Sequence, residues 1–76
     1  MKELVRFIAT SLVDDPTQID VTEFRRGSSV NLKLKVAKED MGRIIGKQGR
    51  TAKAMRTLLN AKATRENKRA VLQILE

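Results

Sequence analysis

Apolar and polar positions recur with two different periods along this chain, and each change of period marks a new element. From residue 2 to about residue 13 the apolar residues recur every three or four positions, which is the spacing of one helical face. The stripe consists of Leu4, Val5, Ile8 and Leu12, widened by Phe7 and Ala9. The pattern predicts a helix that ends before Pro16, because the residue before a proline avoids helical geometry.

Two strands are predicted next. Residues 29–36 alternate strictly, which indicates a strand with one buried and one solvated face, and the apolar positions are Val30, Leu32, Leu34 and Val36. Over residues 18–26 the alternation breaks, because Phe24 falls on the face opposite Ile19 and Val21. We therefore expect either a bulge or a strand that is apolar on both faces. The short spacer between the two runs predicts an antiparallel hairpin.

Helical spacing returns at Lys38-Glu39-Asp40, which places acids in the first turn of a second helix. Gly46 ends this helix, whose apolar stripe is Met41, Ile44 and Ile45. A third helix is predicted from about Arg50 to about Ala63, with a buried face formed by Ala52, Met55, Leu58 and Leu59; any member left exposed would be available to a protein partner. Residues 60–67 are polar, and residues 70–75 are apolar enough for a buried strand.

The resulting order is helix, strand, strand, helix, helix, strand. It predicts a single α+β domain over residues 1–76, in which a three-stranded sheet carries three helices packed on one face.

The stretch Ile44-Ile45-Gly46-Lys47-Gln48-Gly49-Arg50-Thr51 joins the second and third predicted helices. Its two glycines have no Cβ, so the chain can turn sharply and another molecule's backbone can come close. The N-terminus of the following helix favours an anion at the same place. We expect Lys47, Arg50 and Lys53 to be the main phosphate contacts, and we expect Arg56 to point away.

The distribution of charge supports an anionic partner. The net charge is +7, and residues 43–69 contain nine basic residues and one acidic residue, so this segment carries +8 and the remainder −1. Such asymmetry favours nucleic acid over a membrane surface. Because Phe7 and Phe24 both fall in apolar patterns, we expect no stacking platform. A single copy should therefore bind weakly, and a dimer or a partner would add avidity.

Composition argues against an enzyme. The chain has no cysteine and no histidine, which removes thiolate chemistry, the commonest general base and the commonest metal ligand, so no cofactor or metal is expected. A nucleotide-binding phosphate loop is also excluded. Such a loop needs four residues between its glycines, but only three separate Gly42 from Gly46, and Gln48 stands where a serine or threonine hydroxyl must hold magnesium. No apolar run approaches membrane-spanning length, and we expect a cytoplasmic protein.

The glycine stretch carries a family resemblance. Ile45-Gly46-Lys47-Gln48-Gly49 between two short helices resembles the signature loop of a KH domain, which clamps about four single-stranded nucleotides. The longer run from Gly46 to Arg56 is similar to the small bacterial proteins made of one KH domain alone (the KhpA type). Only 27 residues (50–76) follow Gly49, enough for one helix and one strand, which fits the prokaryotic type II order α-β-β-α-α-β.

The resemblance implies a set of RNA-binding residues, namely Ile44, Ile45, Gly46, Lys47, Gln48, Gly49, Arg50, Thr51 and Lys53, with groove or secondary contacts from Arg43, Ala52 and Arg56. One position departs from the family pattern. Many KH domains have a branched apolar residue three positions after the second glycine, where this chain has Ala52. The smaller side chain predicts a shallower groove, or a lining shifted to Ile44, Ile45 and Met55.

The resemblance also implies a cellular role. It points to a non-enzymatic protein that binds single-stranded RNA, as an RNA chaperone or post-transcriptional regulator. Relatives of this kind pair with themselves and with a larger KH-domain partner (the KhpB type), and they are linked to cell elongation, division and peptidoglycan homeostasis. Two alternatives remain open: a protein-interaction module that has lost nucleic-acid contact, and a single-stranded DNA binder, because no residue visibly reads a 2′-hydroxyl.

Overall fold

The computed structural model describes all 76 residues and has the element order that the hydrophobic pattern predicts. The elements are α1 (Lys2–Leu12), β1 (Asp20–Arg26), β2 (Ser29–Lys35), α2 (Met41–Ile45), α3 (Arg50–Arg65) and β3 (Arg69–Leu75). Single 3-10 turns precede β1, α2 and α3, at Pro16–Gln18, Lys38–Asp40 and Lys47–Gly49. The predicted α+β class and the order α-β-β-α-α-β are confirmed.

The three strands form one sheet in the order β1-β2-β3. β1 and β2 make the predicted antiparallel hairpin, in an unbroken register from Asp20 opposite Lys35 to Arg26 opposite Ser29. A bulge in β1, one of the two expectations, is therefore wrong, and the strand instead carries apolar residues on both faces. β3 pairs with β2 in parallel, because α2 and α3 form the crossover that returns the chain to the same end of the sheet.

The core lies between one face of the sheet and the three helices. The strands contribute Val21, Val30, Leu32, Leu34, Ala70 and Leu72, and the helices contribute Val5, Ala9, Ile44, Met55, Leu59 and Ala63. Burying one large apolar side chain contributes about 1.5–3 kcal/mol, so this single layer of contacts holds the helices on the sheet. The opposite face of the sheet has no helix on it: Phe24 in β1 is 62% exposed and Val71 in β3 is 44% exposed.

Several predicted core positions prove to be exposed. Phe7 is 71% exposed and Leu58 is 54% exposed, so both predictions are wrong. Successive residues of a helix are about 100° apart, and the buried edge of α3 follows the three-and-four spacing of Ala52, Met55, Leu59 and Ala63, which leaves Leu58 to one side. β3 was predicted to be buried, but it is an edge strand with one open face. α3 also continues to Arg65, two residues beyond its predicted end.

Candidate nucleic-acid interface

Gly46 ends α2 in a conformation that only glycine adopts readily. Its φ is 78° and its ψ is 172°, and its N–H donates to the carbonyl of Gly42 at 2.9 Å. A Cβ at this position would lie 2.6 Å from the Cβ of Thr51 and 2.8 Å from its backbone nitrogen, and closer still to its hydroxyl oxygen. The backbone at Gly46 therefore packs directly against the first turn of α3.

The turn at Lys47–Gly49 closes the loop. Gln48 has φ 58° and ψ 27°, and Gly49 has φ 74° and ψ 11°, so two consecutive residues adopt the left-handed conformation. The N–H of Gly49 donates to the carbonyl of Gly46 at 3.1 Å, and Lys47 and Gln48 are both exposed at the tip. A Cβ on Gly49 would meet no atom within 4 Å, so in the free protein only its dihedral angles favour glycine. A left-handed non-glycine residue such as Gln48 costs about 1–2 kcal/mol, and strain of this kind clusters at binding sites.

Three cations surround this turn without acidic partners. Lys47, Arg50 and Lys53 are exposed, and no ion pair in the molecule involves them. Among their charged groups, Arg50 Nη2 donates a hydrogen bond to Gln48 Oε1 at 3.2 Å. α3 begins at Gly49 without a side-chain cap, so the amides of its first turn add to the positive field. The loop therefore presents uncompensated positive charge beside a surface that can accept a close approach.

Arg43 lies in a different environment. Its Nη2 is 2.9 Å from Asp14 Oδ2 and its Nε is 3.8 Å from Asp40 Oδ1, so its charge is compensated. Asp40 is only 3% exposed and accepts hydrogen bonds from the backbone amides of Asp14 and Asp15, at 3.1 and 3.3 Å. This cluster ties the start of α2 to the connection between α1 and β1. Sequence reasoning assigned Asp40 only to a helix start, because its partners lie 25 and 26 residues away.

Arg56 is held by β3. Its Nε and Nη2 each donate to the carbonyl of Leu72 at 3.3 Å, so the guanidinium contacts the sheet and not the glycine loop. Arg43 and Arg56 are thus engaged within the fold, whereas Lys47, Arg50 and Lys53 at the loop have no acidic partner.

The apolar residues expected to line a groove are mostly in the core. Ile44 is fully buried, and Ala52 and Met55 are each 2% exposed. Ile45 and Thr51 are half-buried and reach the surface on either side of the turn. The structure therefore brings the loop cations together with one branched apolar side chain, Ile45, and keeps the other predicted lining residues inside. A shallow depression along the outer side of α3 adjoins the loop and is lined by Arg50, Lys53, Ala54, Thr57 and Leu58.

The structure contains neither a cluster of metal-ligand side chains nor a helix suited to span a membrane. No group of three or more histidine, cysteine, aspartate or glutamate side chains is placed to hold a metal ion. None of the helices combines the length and the apolar character that crossing a membrane requires.

Comparison with known families gives one match that spans almost the entire chain. The family described as "KhpA/KhpB, KH domain" matches residues 2–74. The match includes the glycine loop and every helix and strand of the fold, apart from Leu75, the last residue of β3.

Individual relatives are similar over their full lengths. The chain is 55% identical over 75 residues to the RNA-binding protein KhpA of Clostridium acetobutylicum, covering 99% of this chain and 100% of the relative. The KhpA protein of Clostridium perfringens gives the same identity and coverage. That of Halalkalibacterium halodurans is 47% identical over 76 residues and is covered completely, as is this chain.

Among solved structures, the fold is similar to part of Era in a crystal structure with MgGDPNP and nucleotides 1506–1542 of 16S ribosomal RNA. The TM-score is 0.56 at 22% identity, and the match covers 97% of this chain but only 28% of the Era chain. At this identity the likeness concerns the fold alone.

Proposed function

Because this chain belongs to the KhpA/KhpB KH-domain family, we propose that it binds single-stranded RNA through the loop between α2 and α3. The observation that carries the proposal is the loop itself: two glycines with positive φ, and three exposed cations without acidic partners, at the start of a helix without a side-chain cap. Full-length relatives named as RNA-binding proteins support the choice of RNA as the ligand.

The proposed mode of binding is a backbone clamp. A sugar-phosphate backbone of about four nucleotides lies against the loop at Gly46 and Gly49; the space beside Gly49 is open, whereas the space beside Gly46 is filled by Thr51. The cations of the loop and the amides of the first turn of α3 hold the phosphates. The contacting residues are Ile44, Ile45, Gly46, Lys47, Gln48, Gly49, Arg50, Thr51 and Lys53.

Within this set the contacts differ in kind. Ile45 supplies the accessible apolar contact, and the fully buried Ile44 supports it from the core. Arg43, Ala52 and Arg56 rank as secondary residues: the two arginines are engaged by Asp14 and by the carbonyl of Leu72, and Ala52 is buried.

The wider role proposed here rests on the family. We infer a non-enzymatic cytoplasmic protein that acts as an RNA chaperone or post-transcriptional regulator, either as a homodimer or with a larger KH-domain protein of the KhpB type. The same resemblance links it to cell shape and peptidoglycan homeostasis. One feature of this chain supports a protein partner: Leu58 is 54% exposed on the outer side of α3, beside the depression next to the loop.

The test of RNA binding compares two double variants of equal charge. Lys47→Asp with Gln48→Asp changes the loop tip, and Lys38→Asp with Gln18→Asp changes two exposed residues in other turns. Each pair lowers the net charge by three, from +7 to +4, so the long-range field changes equally. After circular dichroism has shown that both fold, each is titrated with single-stranded RNA and DNA of one sequence at two salt concentrations.

We expect the loop variant to lose at least about tenfold in RNA affinity, and the control to lose much less, because only the loop variant removes a direct phosphate contact. The log–log salt slope should be about −0.7 for each phosphate contacted, and the loop variant should reduce its size by about one contact. A folded loop variant that binds RNA like the parent would refute the clamp. Equal binding of RNA and DNA would favour the single-stranded DNA alternative.

The proposed partner contact is tested separately. Sedimentation equilibrium of the pure protein measures self-association, and Leu58→Asp should weaken it if the outer side of α3 forms the interface. A Thr10→Asp variant places the same charge at an exposed position of α1, outside this depression, and serves as the control. A parent that sediments as a monomer at high concentration would leave only the heterodimer.

A further inference from the structure

The open face of the sheet combines an aromatic side chain with polar and basic neighbours. The register places Phe24, Asn31 and Val71 side by side across the three strands. The neighbouring row is Thr22, Lys33 and Gln73, and the row on the other side ends in Arg26 and Arg69. Phe24 is 62% exposed and lines a depression on this face with Leu32, Val71 and five polar or basic residues.

Basic side chains outnumber acidic ones on this open face of the sheet. Arg26, Lys33, Lys35 and Arg69 all project from it, against the single acid Asp20, which gives a net charge of +3. None of the four cations takes part in any ion pair of the molecule. The positive field therefore remains available to an external anion.

We propose that this open face is a second contact surface for single-stranded nucleic acid, on which a base stacks on Phe24. Residues two apart along a strand are about 6.6 Å apart, so Arg26 lies within reach of a phosphate flanking a base held on the ring. Lys33, diagonally placed on β2, reaches the phosphate on the other side. The amides of Asn31 and Gln73 lie where base edges would lie.

A second copy of the chain fits this face less well. Two copies would bring together two surfaces of net charge +3 with unpaired arginines and lysines, whereas a nucleic-acid strand supplies both the anions and the flat rings. The surface lies on the side of the sheet opposite the helices, and Phe24 belongs to neither α2, α3 nor the loop. It therefore adds a separate site to the proposed RNA binding, and this site does not depend on whether the glycine loop binds RNA.

The test uses the absence of tryptophan and tyrosine from the chain. Phe24→Thr removes the ring but keeps a residue that favours strands. Phe24→Trp keeps a stacking surface and introduces a single fluorophore at the site. Phe7→Ala removes the other exposed phenylalanine, which lies in α1 and is 71% exposed, and is the matched control. All are titrated with a fluorescein-labelled 12-nucleotide oligouridine RNA, in the parent chain and in the Lys47→Asp, Gln48→Asp background.

We expect Phe24→Thr to weaken binding of the 12-mer about tenfold, the order of one base-stacking contact, and Phe7→Ala to leave it unchanged. Phe24→Trp should restore the affinity, and its fluorescence should be quenched by unlabelled RNA even in the loop-variant background. The proposal is overturned if Phe24→Thr binds like the parent and the tryptophan signal does not change at saturating RNA. It is also overturned if Phe24→Thr dissociates a dimer without changing RNA affinity. Quenching at the sheet together with a loop variant that binds like the parent would refute the loop clamp alone.

Discussion

Gly46→Ala is the substitution for which the structure predicts the largest local effect. The new methyl group would lie 2.6 Å from Thr51 Cβ and 2.8 Å from the Thr51 backbone nitrogen, closer than such atoms approach in folded proteins. One of these atoms is backbone in the first turn of α3, so it cannot move aside by a rotamer change. Gly49→Ala is the matched comparison, because it also adds a methyl at positive φ but meets no atom within 4 Å.

The expected magnitudes follow from these two environments. Gly49→Ala pays mainly for a left-handed alanine, about 1–2 kcal/mol. Gly46→Ala costs about 1–3 kcal/mol for a conformation that is essentially reserved for glycine, and overpacking adds about 1–3 kcal/mol. Both gain the same small amount from a stiffer unfolded chain, so this gain cancels, and the difference between them reports the clash together with the less favourable backbone conformation at Gly46. The summed cost of Gly46→Ala is a large part of the roughly 4–11 kcal/mol that stabilises a domain of this length.

Urea denaturation of the parent and both variants measures the difference. With an m-value of about 1 kcal/mol/M, the midpoint for Gly46→Ala should lie about 1–3 M below that for Gly49→Ala. Adding Thr51→Ala to Gly46→Ala removes the hydroxyl but leaves the Cβ and the backbone nitrogen, so it should restore only part of the loss. Equal midpoints for the two glycine variants, or full recovery in the double variant, would show that the contact with the α3 backbone does not constrain the loop.

Three other perturbations have expected outcomes. Asp40→Ala leaves two backbone amides of the α1–β1 connection without their acceptor and should cost about 2–4 kcal/mol in urea denaturation. Arg56→Ala should lower stability by about 0.5–1.5 kcal/mol, through the lost bonds to Leu72, while changing RNA affinity less than Lys53→Ala does. Burial alone would raise the pKa of Glu23. The Arg25 guanidinium, the N-terminal ammonium of Met1 and the backbone amide of Lys2 outweigh burial and hold this pKa below the ordinary 4.5. The ionised Glu23 carboxylate stabilises the fold fully above pH 4.5, and this stabilisation is lost as the pH falls through the lower pKa of the folded state. Glu23→Gln should therefore reduce the fall of the melting temperature at acidic pH, which is the acid limb of the profile of melting temperature against pH.

Each of these has an outcome that would contradict it. Stability unchanged in Asp40→Ala would mean that water replaces the carboxylate as acceptor for the two amides. A loss of RNA affinity in Arg56→Ala as large as that in Lys53→Ala would place the Arg56 guanidinium at the RNA. An acid limb that is equally steep in Glu23→Gln would assign the acid sensitivity to other carboxylates; Glu39→Gln, an exposed acid outside all ion pairs, is the control.

The elements of the fold were predictable because each depends on a local period. The strict alternation of residues 29–36 and the three-and-four spacing of residues 4–12 specify a half-buried strand and an amphipathic helix without reference to the rest of the chain. Gly46 likewise ends α2 through a property of one residue, its access to positive φ. The loop could therefore be placed between two helices from sequence alone.

The side-chain contacts that join α2 and α3 to the rest of the fold were not predictable in this way. Asp40 accepts from amides 25 and 26 residues away, and Arg56 donates to a carbonyl 16 residues away. Nothing in the local pattern distinguishes these two side chains from the exposed charges beside them. The packing of α2 and α3 on the sheet determines their hydrogen-bond partners. The same packing determines which cations are engaged in the fold and which remain free at the loop.

Phe24 shows how a correct local inference can lead to a wrong conclusion. The alternation in β1 already placed Phe24 on the face opposite Val21, and the unbroken register supports that placement. What the alternation could not tell was whether a second layer covers that face. The crossover between the parallel strands β2 and β3 packs α2 and α3 on the core face through Ile44, Met55 and Leu59, and α1 packs into the same core through Val5 and Ala9. All three helices are then on one face, so an apolar residue pointing to the other face is exposed. No stacking platform was expected, because both phenylalanines fall in apolar patterns, but the arrangement of the layers leaves Phe24 exposed on the open face of the sheet.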